Sequence, residues 1–136
     1  MAPAMAQALA DLHGRGLVHQ GLHPSCFLLD AGLHRVWLTG FCRTADLDGA
    51  LREPAAPQQG LYSAPEQTGL VHRAVDQRTD LYSLGACFYE MLTGEPPFQG
   101  LDAAGIVHAH VALEPVPICA KVGQVPQVPS TVVSRL

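Results

Sequence analysis

The chain has 136 residues, which is enough for a single domain with one hydrophobic core, and residues 1–136 are expected to form one domain or part of one. Hydrophobic residues make up 48% and charged residues 15%, which excludes a disordered or charge-rich solvated segment because the apolar side chains are numerous enough to form a core. Eight basic and twelve acidic side chains give a net charge of −4, so nucleic acid is not an expected partner.

The cysteines and the apolar runs bear on the cellular setting. The four cysteines show no Cys-x-x-Cys spacing, and no charged-then-apolar secretory leader opens the chain. Free thiols in a reducing, cytoplasmic setting are therefore expected. No apolar run reaches the roughly 18 residues that a membrane span requires, so a membrane partner is not expected.

The first part of the chain predicts a helix, a hairpin and a loop. Apolar residues at helical spacing predict a helix over residues 4–13. Two short β-rich runs, at residues 26–29 and 35–38, are separated by turn formers and predict a hairpin. Residues 43–59 follow neither period and are rich in Gly, Pro and Asp, which predicts a long exposed loop.

The second part of the chain predicts three helices. Apolar residues at helical spacing predict a helix that begins at Asp80 as its N-cap and ends at Gly94. Residues 85–87 widen its apolar surface, so this helix is expected to run through the middle of the core. A further helix is predicted over residues 102–113, and a last one from Ser130 whose apolar stripe is incomplete where the sequence ends. The apolar repeat of the first of these helices consists of Leu81, Leu84, Phe88, Met91 and Leu92.

Four motifs occur in the order in which protein kinases carry them. The segment His-Gln-Gly-Leu-His-Pro-Ser-Cys from His19 resembles the catalytic loop H-R-D-L-x-x-x-N. Leu-Thr-Gly-Phe-Cys stands where the family has its metal-binding D-F-G, Ala-Pro-Glu matches A-P-E, and Asp-Leu-Tyr-Ser-Leu-Gly matches the start of the central helix. The matched positions are Gly40, Phe41 and Cys42 in the metal loop, and Ala64, Pro65, Glu66, Asp80 and Gly85 in the structural motifs.

The resemblance implies a mainly α (α+β) fold, namely the C-terminal large lobe of a protein kinase with a small β-hairpin. Such a chain is expected to be truncated, because the small lobe and the final helices are missing from it. Residues 63–98 are also similar to a narrower group. In these bacterial multidomain signalling proteins, a kinase-like domain precedes an ATPase of the AAA type and often a sensor histidine kinase.

The resemblance also implies where the chemistry of phosphoryl transfer should reside. Kinases use an Asp that accepts the hydroxyl proton, and an Asp and an Asn that hold metal ions. Gly21 stands at the position of the proton acceptor, Cys26 at that of the Asn, and Gly40 at that of the metal-binding Asp. Glycine offers no ligand, and a neutral thiol is a poor ligand for magnesium. No catalytic residue, metal or cofactor is therefore expected, and ATP and Mg²⁺ are implied by the family resemblance only.

Three further positions of the catalytic loop follow from the same resemblance. His19 is expected to be a scaffold residue that packs and hydrogen-bonds within the loop. His23 stands where many kinases have a lysine, and it is interpreted as a polar loop residue without a ligand. Gln20 replaces the arginine that would grip a phosphate, so switching by phosphorylation of the following segment is not expected. The candidate phosphate acceptors in that segment are Thr44, Tyr62 and Ser63.

Two acidic residues match structural carboxylates of the family. Asp80 is expected to be buried and to accept hydrogen bonds from the backbone of the catalytic loop. Glu66 matches a carboxylate whose arginine partner lies beyond Leu136. It is therefore expected to meet solvent, to contact another arginine such as Arg73, or to be buried in its neutral form.

A metal pair and a reactive thiol are also considered. His108 and His110 are two residues apart on a predicted helix and so point to different sides, whereas paired ligands need a spacing of three or four. Cys42 has only Arg43 as a neighbouring cation, so an unreactive thiol is expected. No metal site is predicted.

These observations predict a catalytically inactive kinase-like domain, a pseudokinase, that serves as a regulatory or protein-interaction module in signalling. Its expected partner is another protein, or the missing small lobe and neighbouring domains. Two alternatives stay open. The chain is part of an active ATP-dependent serine/threonine protein kinase, or it is a non-functional truncated gene fragment.

Overall fold

The computed structural model describes residues 1–32, 35–46 and 60–122. The helices within these residues are α1 Ala2–His13, α2 Gln77–Thr93, α3 Ala103–Ala112 and α4 Ile118–Lys121. The strands are β1 Leu17–Val18, β2 Phe27–Leu29, β3 Val36–Leu38 and β4 Ala45–Asp46. The described part of the chain is mainly helical, as expected, and it has two small antiparallel strand pairs where one hairpin was predicted. None of its helices combines the length and apolar character that crossing a bilayer requires.

Helix α1 confirms the first predicted helix and begins two residues earlier than residues 4–13. Pro3 lies in its first turn, where the fixed φ of proline suits a helix and its missing N–H costs no hydrogen bond. One face of the helix is buried, at the spacing that the apolar residues predict. The buried residues are Met5, Leu9 and Leu12.

Strands β2 and β3 form the predicted hairpin, with Leu28 opposite Trp37. A second antiparallel pair joins β1 to β4, with Val18 opposite Ala45. Residues 43–46 of the predicted loop therefore belong to ordered structure, which corrects that part of the prediction. The pair is too short to produce an alternating pattern, and it forms because the tertiary fold brings two distant segments together. Residues 47–59 of the predicted loop lie outside the described residues.

Helix α2 begins four residues earlier than predicted, because its N-cap is Asp76 rather than Asp80. The Asp76 side chain accepts a hydrogen bond from the backbone N–H of Arg78 at 2.8 Å. The prediction of Asp80 as the cap was therefore wrong, because Asp80 is already inside the first turn. The predicted end is confirmed, since Gly94 follows the helix with a φ of +81°.

The middle of α2 is buried on all sides, and its two ends are not. The five consecutive residues 83–87 are buried, which confirms a central position for this turn. Leu81, Met91 and Leu92, which belong to the predicted apolar repeat, are 36–40% exposed, so the central position holds for the middle of the helix and not for these three residues. A count of apolar residues shows which faces could be buried, whereas the neighbouring elements determine which faces are covered.

The core consists of a main cluster beneath the catalytic-loop segment and a smaller cluster beside α3. Helix α3 confirms the helix predicted over residues 102–113, and the Asp102 side chain accepts from the backbone of Gly105 as its N-cap. The helix predicted from Ser130 lies outside the described residues. The buried residues of the main cluster are Met5, Leu9, Leu12, Leu22, Cys26, Phe27, Tyr62, Leu84, Ala86 and Cys87, and those of the smaller one are Phe98, Ile106 and Ala109.

Candidate functional site: a kinase-like catalytic loop

Asp80 holds the start of the loop to the central helix. Its side chain is fully buried, and its two oxygens accept hydrogen bonds from the backbone N–H groups of His19 at 2.7 Å and Gln20 at 2.8 Å. The Nε2 atom of His13 lies 2.8 Å from Oδ2 of Asp80 and donates a third hydrogen bond. The expectation of a buried, satisfied carboxylate is confirmed. The contact with His13 was not predicted, and the position of His13 at the end of α1 offers no local signal for it.

Gln20 has an unusual backbone conformation for a residue with a side chain. Its φ of +61° lies in the left-handed region, which is otherwise reached only by glycines among the described residues. Two contacts hold it there. Its N–H donates to Asp80, and its carbonyl oxygen accepts from Nε2 of Gln67 at 2.7 Å. A strained backbone persists where its surroundings over-determine it, so Gln67 is a positioning residue of this loop that the sequence analysis missed.

His19 connects the catalytic-loop segment to the metal-loop segment. It is fully buried, and its Nε2 atom is 2.9 Å from the carbonyl oxygen of Thr39, to which it donates. Its ring also contacts that of Phe41, with 5.4 Å between the ring centroids. Through these contacts His19 holds the catalytic-loop segment against the metal-loop segment. The expected scaffold role of His19 agrees with this placement and stays a prediction about function.

The three altered catalytic positions lie against one another. The thiol of Cys26 is buried and donates to the carbonyl oxygen of Gly21 at a distance of 3.6 Å. Gly40 has a φ of +82°, and a Cβ atom added to it would lie 3.0 Å from Sγ of Cys26. Burial raises the pKa of the Cys26 thiol, so it is neutral at physiological pH. No group of three or more His, Cys, Asp or Glu side chains in the described residues could hold a metal ion.

Arg43 lies over the position of the missing proton acceptor. A Cβ atom added to Gly21 would be 3.1 Å from Cδ and 3.6 Å from Cβ of Arg43. The aliphatic part of the arginine therefore occupies space beside the backbone of Gly21. No sequence signal pointed to this contact, because the two residues belong to different motifs.

His23 and Cys42 lie at the two sides of this site. His23 has extended backbone and precedes a short 3₁₀ turn, Pro24–Cys26. Burial, and to a smaller extent the electrostatic influence of His19, lower the pKa of His23, so its imidazole is neutral at physiological pH. Cys42 is exposed, and its thiol donates to the carbonyl oxygen of Gly40 at 3.7 Å. The interpretations of these two residues as non-catalytic stay predictions.

The Ala-Pro-Glu motif forms a turn against α2. Ala64 is fully buried and precedes the 3₁₀ turn Pro65–Thr68. Oε1 of Glu66 accepts a hydrogen bond from the hydroxyl of Thr79 at 2.5 Å. Glu66 therefore has a partner that was not predicted. Thr79 is adjacent to Asp80, and a hydroxyl at this helical position gave no distinct signal.

Gly85 lies in the buried middle turn of α2, as its place in the central-helix motif implies. It lines a small pocket together with Tyr82, Tyr89 and Phe98. Burial raises the pKa of Tyr82 to about 12, so this phenol stays protonated in the pocket wall.

The candidate phosphate acceptors differ in accessibility. Tyr62 is buried, and its hydroxyl donates to the carboxylate of Glu90. Burial and this hydrogen bond raise the pKa of Tyr62. Thr44 is partly buried, and its hydroxyl has no hydrogen-bond partner within residues 1–32, 35–46 and 60–122. Ser63 is also partly buried.

His108 and His110 face different sides of α3, as predicted, since His108 is exposed and His110 is buried. The Nδ1 atom of His110 lies 2.7 Å from the hydroxyl of Tyr82. Burial lowers the pKa of His110, which is therefore a neutral core residue at physiological pH.

Comparison with known proteins is consistent with this geometry. Serine/threonine-protein kinase PknB of Mycobacterium tuberculosis is 36% identical over 118 residues, which cover 85% of this chain and 18% of that protein. The probable serine/threonine-protein kinase PknB of Bifidobacterium longum is 35% identical over 123 residues, or 88% of this chain and 18% of that protein. Hybrid signal transduction histidine kinase G of Dictyostelium discoideum is 43% identical over 76 residues, or 55% of this chain and 2% of that protein.

The chain thus spans about a fifth of the length of the PknB proteins. The activity of a PknB protein belongs to its whole, much longer chain, of which the matched residues cover 18%. The family itself is shown more directly, because the protein kinase domain profile matches residues 1–132. With Asp80 holding the catalytic-loop segment and the Ala-Pro-Glu turn packed on the same helix, the chain belongs to the protein kinase family.

Proposed function

We propose that this chain is a catalytically inactive kinase-like domain, a pseudokinase, that serves as a regulatory or protein-interaction module in signalling. One observation carries the proposal. The positions of the proton acceptor and of the two metal ligands are Gly21, Cys26 and Gly40, and these residues contact one another without offering a carboxylate.

The absence of a side chain at Gly21 removes the general base. A positioned base contributes a factor of about 100 to 10,000 to the rate of proton transfer. The stem of Arg43 lies at this position instead, and an arginine stays protonated and cannot accept the proton of a hydroxyl substrate. The loop therefore lacks the group that kinases use to activate the attacking oxygen.

The metal-binding positions lack oxygen ligands in the same way. Magnesium prefers carboxylate, carbonyl and water oxygens, and the neutral thiol of Cys26 is a soft donor. An aspartate at position 40 would be strained, because the backbone is left-handed there and the new Cβ would crowd Sγ of Cys26. Restoring the ligands one at a time is therefore not expected to rebuild the metal site.

The frame of the loop is retained although its chemistry is altered. Asp80, His13 and Gln67 hold the backbone at His19 and Gln20 in one conformation. A rigid surface without catalytic groups suits an interaction module, and the partner is then a protein, a small lobe or a neighbouring domain. The exposed ring of Phe41, beside an apolar pocket lined by Leu12, Leu17 and Leu38, supports such a partner. The free cysteines of the described residues support a cytoplasmic setting.

The competing candidate is part of an active ATP-dependent serine/threonine kinase. The identity of 35–36% to the PknB proteins favours it, as does the retained loop frame. The similarity to a hybrid signal transduction histidine kinase favours a signalling context for either candidate. The distinction depends on nucleotide and metal binding.

Thermal unfolding of the purified chain with and without Mg²⁺ and ATP separates these candidates. A ligand that binds only the folded state raises the midpoint, by an amount set by its concentration relative to Kd. We expect one cooperative transition whose midpoint does not move with nucleotide. A dose-dependent rise would contradict the proposal and favour the active kinase. The absence of a cooperative transition would also contradict the proposal, because it would indicate that the chain does not fold, and it would favour a non-functional fragment.

A further inference from the structure

We propose that Arg43 forms an anion site beside Gly21, which we name the Arg43 site, and that this site binds a phosphate group, either free or on a protein side chain. The inference does not depend on whether the chain is a pseudokinase. It follows from the packing of Arg43 and from two buried polar atoms without a hydrogen-bond partner, Nε of Arg43 and the hydroxyl oxygen of Thr44.

The first observation is the position of the Arg43 side chain. Arg43 ends the 3₁₀ turn Phe41–Arg43, which begins after the left-handed Gly40. Its Cβ, Cγ and Cδ atoms all lie within 3.1–3.7 Å of the point where a Cβ of Gly21 would be. The absence of a side chain at position 21 therefore makes room for the stem, which fixes the direction in which the guanidinium leaves the loop.

The second observation is that the Nε–H group of the guanidinium has no partner. The Nε atom of Arg43 is buried and has no hydrogen-bond partner in the described ranges of the chain. Ion pairs between described residues join His13 to Asp80, Arg78 to Asp76 and Lys121 to Glu95, and none of them includes Arg43. A buried charged donor without a partner is costly, so its presence indicates a missing water or ion.

The third observation is a second unsatisfied group on the next residue. The hydroxyl oxygen of Thr44 is buried and also lacks a hydrogen-bond partner among the described residues. One water could satisfy an isolated hydroxyl. The permanent positive charge of Arg43, the preceding residue, favours an anion over water as the partner of Nε, because no ion pair between described residues includes Arg43.

The geometry of a guanidinium favours phosphate among the anions. Its planar set of N–H groups matches two oxygens of a phosphate, and charge-assisted hydrogen bonds of this type are stronger than neutral ones. A phosphate has a further oxygen that can accept from a neighbouring hydroxyl such as that of Thr44. A chloride ion has no separate oxygen atoms, so it cannot accept from the guanidinium and from the hydroxyl through different atoms as a phosphate does.

The test is a titration of the complete ¹⁵N-labelled chain with inorganic phosphate at constant ionic strength, followed by NMR at the Nε–Hε signal of Arg43. We expect a saturable shift of this signal. The Arg43→Gln variant should bind phosphate about tenfold more weakly or not at all, the factor that corresponds to one charge-assisted hydrogen bond. Arg35→Gln is the matched control, because Arg35 is exposed and the change in net charge is the same.

A second pair of variants tests the site without removing Arg43. Gly21→Asp places a carboxylate next to the guanidinium, so it should occupy the site from within and abolish phosphate binding. Gly21→Asn has nearly the same shape without the charge and should bind phosphate more tightly than Gly21→Asp. The backbone of Gly21 is outside the left-handed region, and the flexible stem of Arg43 can move, so both variants are expected to fold.

The same titration with a short phosphoserine peptide identifies the source of the phosphate group. Saturation at a lower concentration of peptide than of free phosphate would indicate a phosphorylated protein, and the reverse order would indicate free phosphate. The proposal is overturned if neither ligand gives a saturable shift, if chloride gives an equal shift, or if Gly21→Asp leaves phosphate affinity unchanged.

Discussion

At the scale of single residues, the site depends on a few buried polar groups that are far apart in sequence. Asp80 joins the catalytic-loop segment, α1 and α2 through three hydrogen bonds. Its carboxylate would be costly to bury without these donors. The stability of the loop therefore rests on one side chain that the family motif identifies and that the packing satisfies.

We predict that Asp80→Ala destabilises the chain by about 3 kcal/mol or more, because two backbone N–H groups and His13 lose their acceptor inside the core. Urea denaturation at equilibrium measures the change. Asp76→Ala is the control, because it removes a partly exposed N-cap of the same helix and should cost about 1 kcal/mol. Equal losses for the two variants would mean that Asp80 acts only through the helix end.

His110 predicts a dependence of stability on pH. Its folded-state pKa is lowered from 6.5 by burial, so on acidification the unfolded state takes up its proton before the folded state does. Protonation then favours unfolding, and stability falls as the pH falls below about 6.5. His110→Gln should remove part of this slope, whereas His108→Gln, at an exposed position of the same helix, should leave it unchanged. Denaturation midpoints between about pH 7.5 and pH 5.5 measure both slopes. If His110→Gln leaves the slope of stability against pH unchanged, His110 is not the source of this pH dependence and the prediction is wrong.

At the scale of elements, short turns rather than helices bring the altered positions together. The 3₁₀ turn Phe41–Arg43 follows Gly40, and the turn Pro24–Cys26 ends at Cys26. The hairpin of β2 and β3 lies between these turns in sequence and places their ends side by side. The contact between Cys26 and Gly40 is therefore a consequence of hairpin register.

Gly40 and Gly69 offer a matched test of this contact. Both have a left-handed φ, of +82° and +77°, but a Cβ on Gly69 would meet nothing within 4 Å. Gly69→Ala should cost about 1 kcal/mol through backbone conformation alone. Gly40→Ala should cost more, because its Cβ also meets Sγ of Cys26, and Cys26→Ala should relieve the excess in the double variant. Equilibrium denaturation gives all four free energies of unfolding. Equal losses of unfolding free energy for Gly40→Ala and Gly69→Ala would show that the Cys26 side chain moves aside at no cost, and would contradict the prediction.

At the scale of the whole molecule, large apolar side chains remain exposed on the hairpin and at Phe41. Leu28 and Trp37 are cross-strand neighbours on the hairpin and are 54% and 49% exposed, and Phe41 is also 49% exposed. Exposed apolar side chains that neighbour one another, as Leu28 and Trp37 do, are typical of surfaces that meet a partner. Phe41 belongs to the surface for which a protein partner is proposed, and the Leu28–Trp37 pair is a separate exposed apolar surface.

We predict that the purified chain self-associates through these two exposed apolar surfaces, that of Phe41 and that of Leu28 and Trp37. Phe41→Ser and Trp37→Ser should shift sedimentation towards the monomer, because each removes apolar area that water otherwise contacts. Leu70→Ser is the control, because Leu70 is 64% exposed in the segment after the Ala-Pro-Glu turn. A chain that is monomeric before any substitution, or one that responds equally to Leu70→Ser, would contradict the prediction.

Much of the fold could be predicted from sequence because local patterns encode local structure. The helical period gave α1, α2 and α3 within a few residues, and turn formers gave the hairpin. The start of α2 was placed four residues late, because Asp76 and Asp80 are both acceptable caps and only the path of the preceding chain selects Asp76. The β1–β4 pair was missed because neither two-residue strand carries a period.

The sequence by itself determined the family motifs and the residue types at the catalytic positions, because both follow from residue types at fixed spacing, and the resemblance to kinases implied the burial of Asp80. The tertiary structure alone decided the contacts of Gly21 with Arg43, of Gly40 with Cys26 and of Gln20 with Gln67. The physical reason is distance along the chain. These pairs are 14 to 47 residues apart, and their separation in space depends on how the turns, the hairpin and α2 pack together.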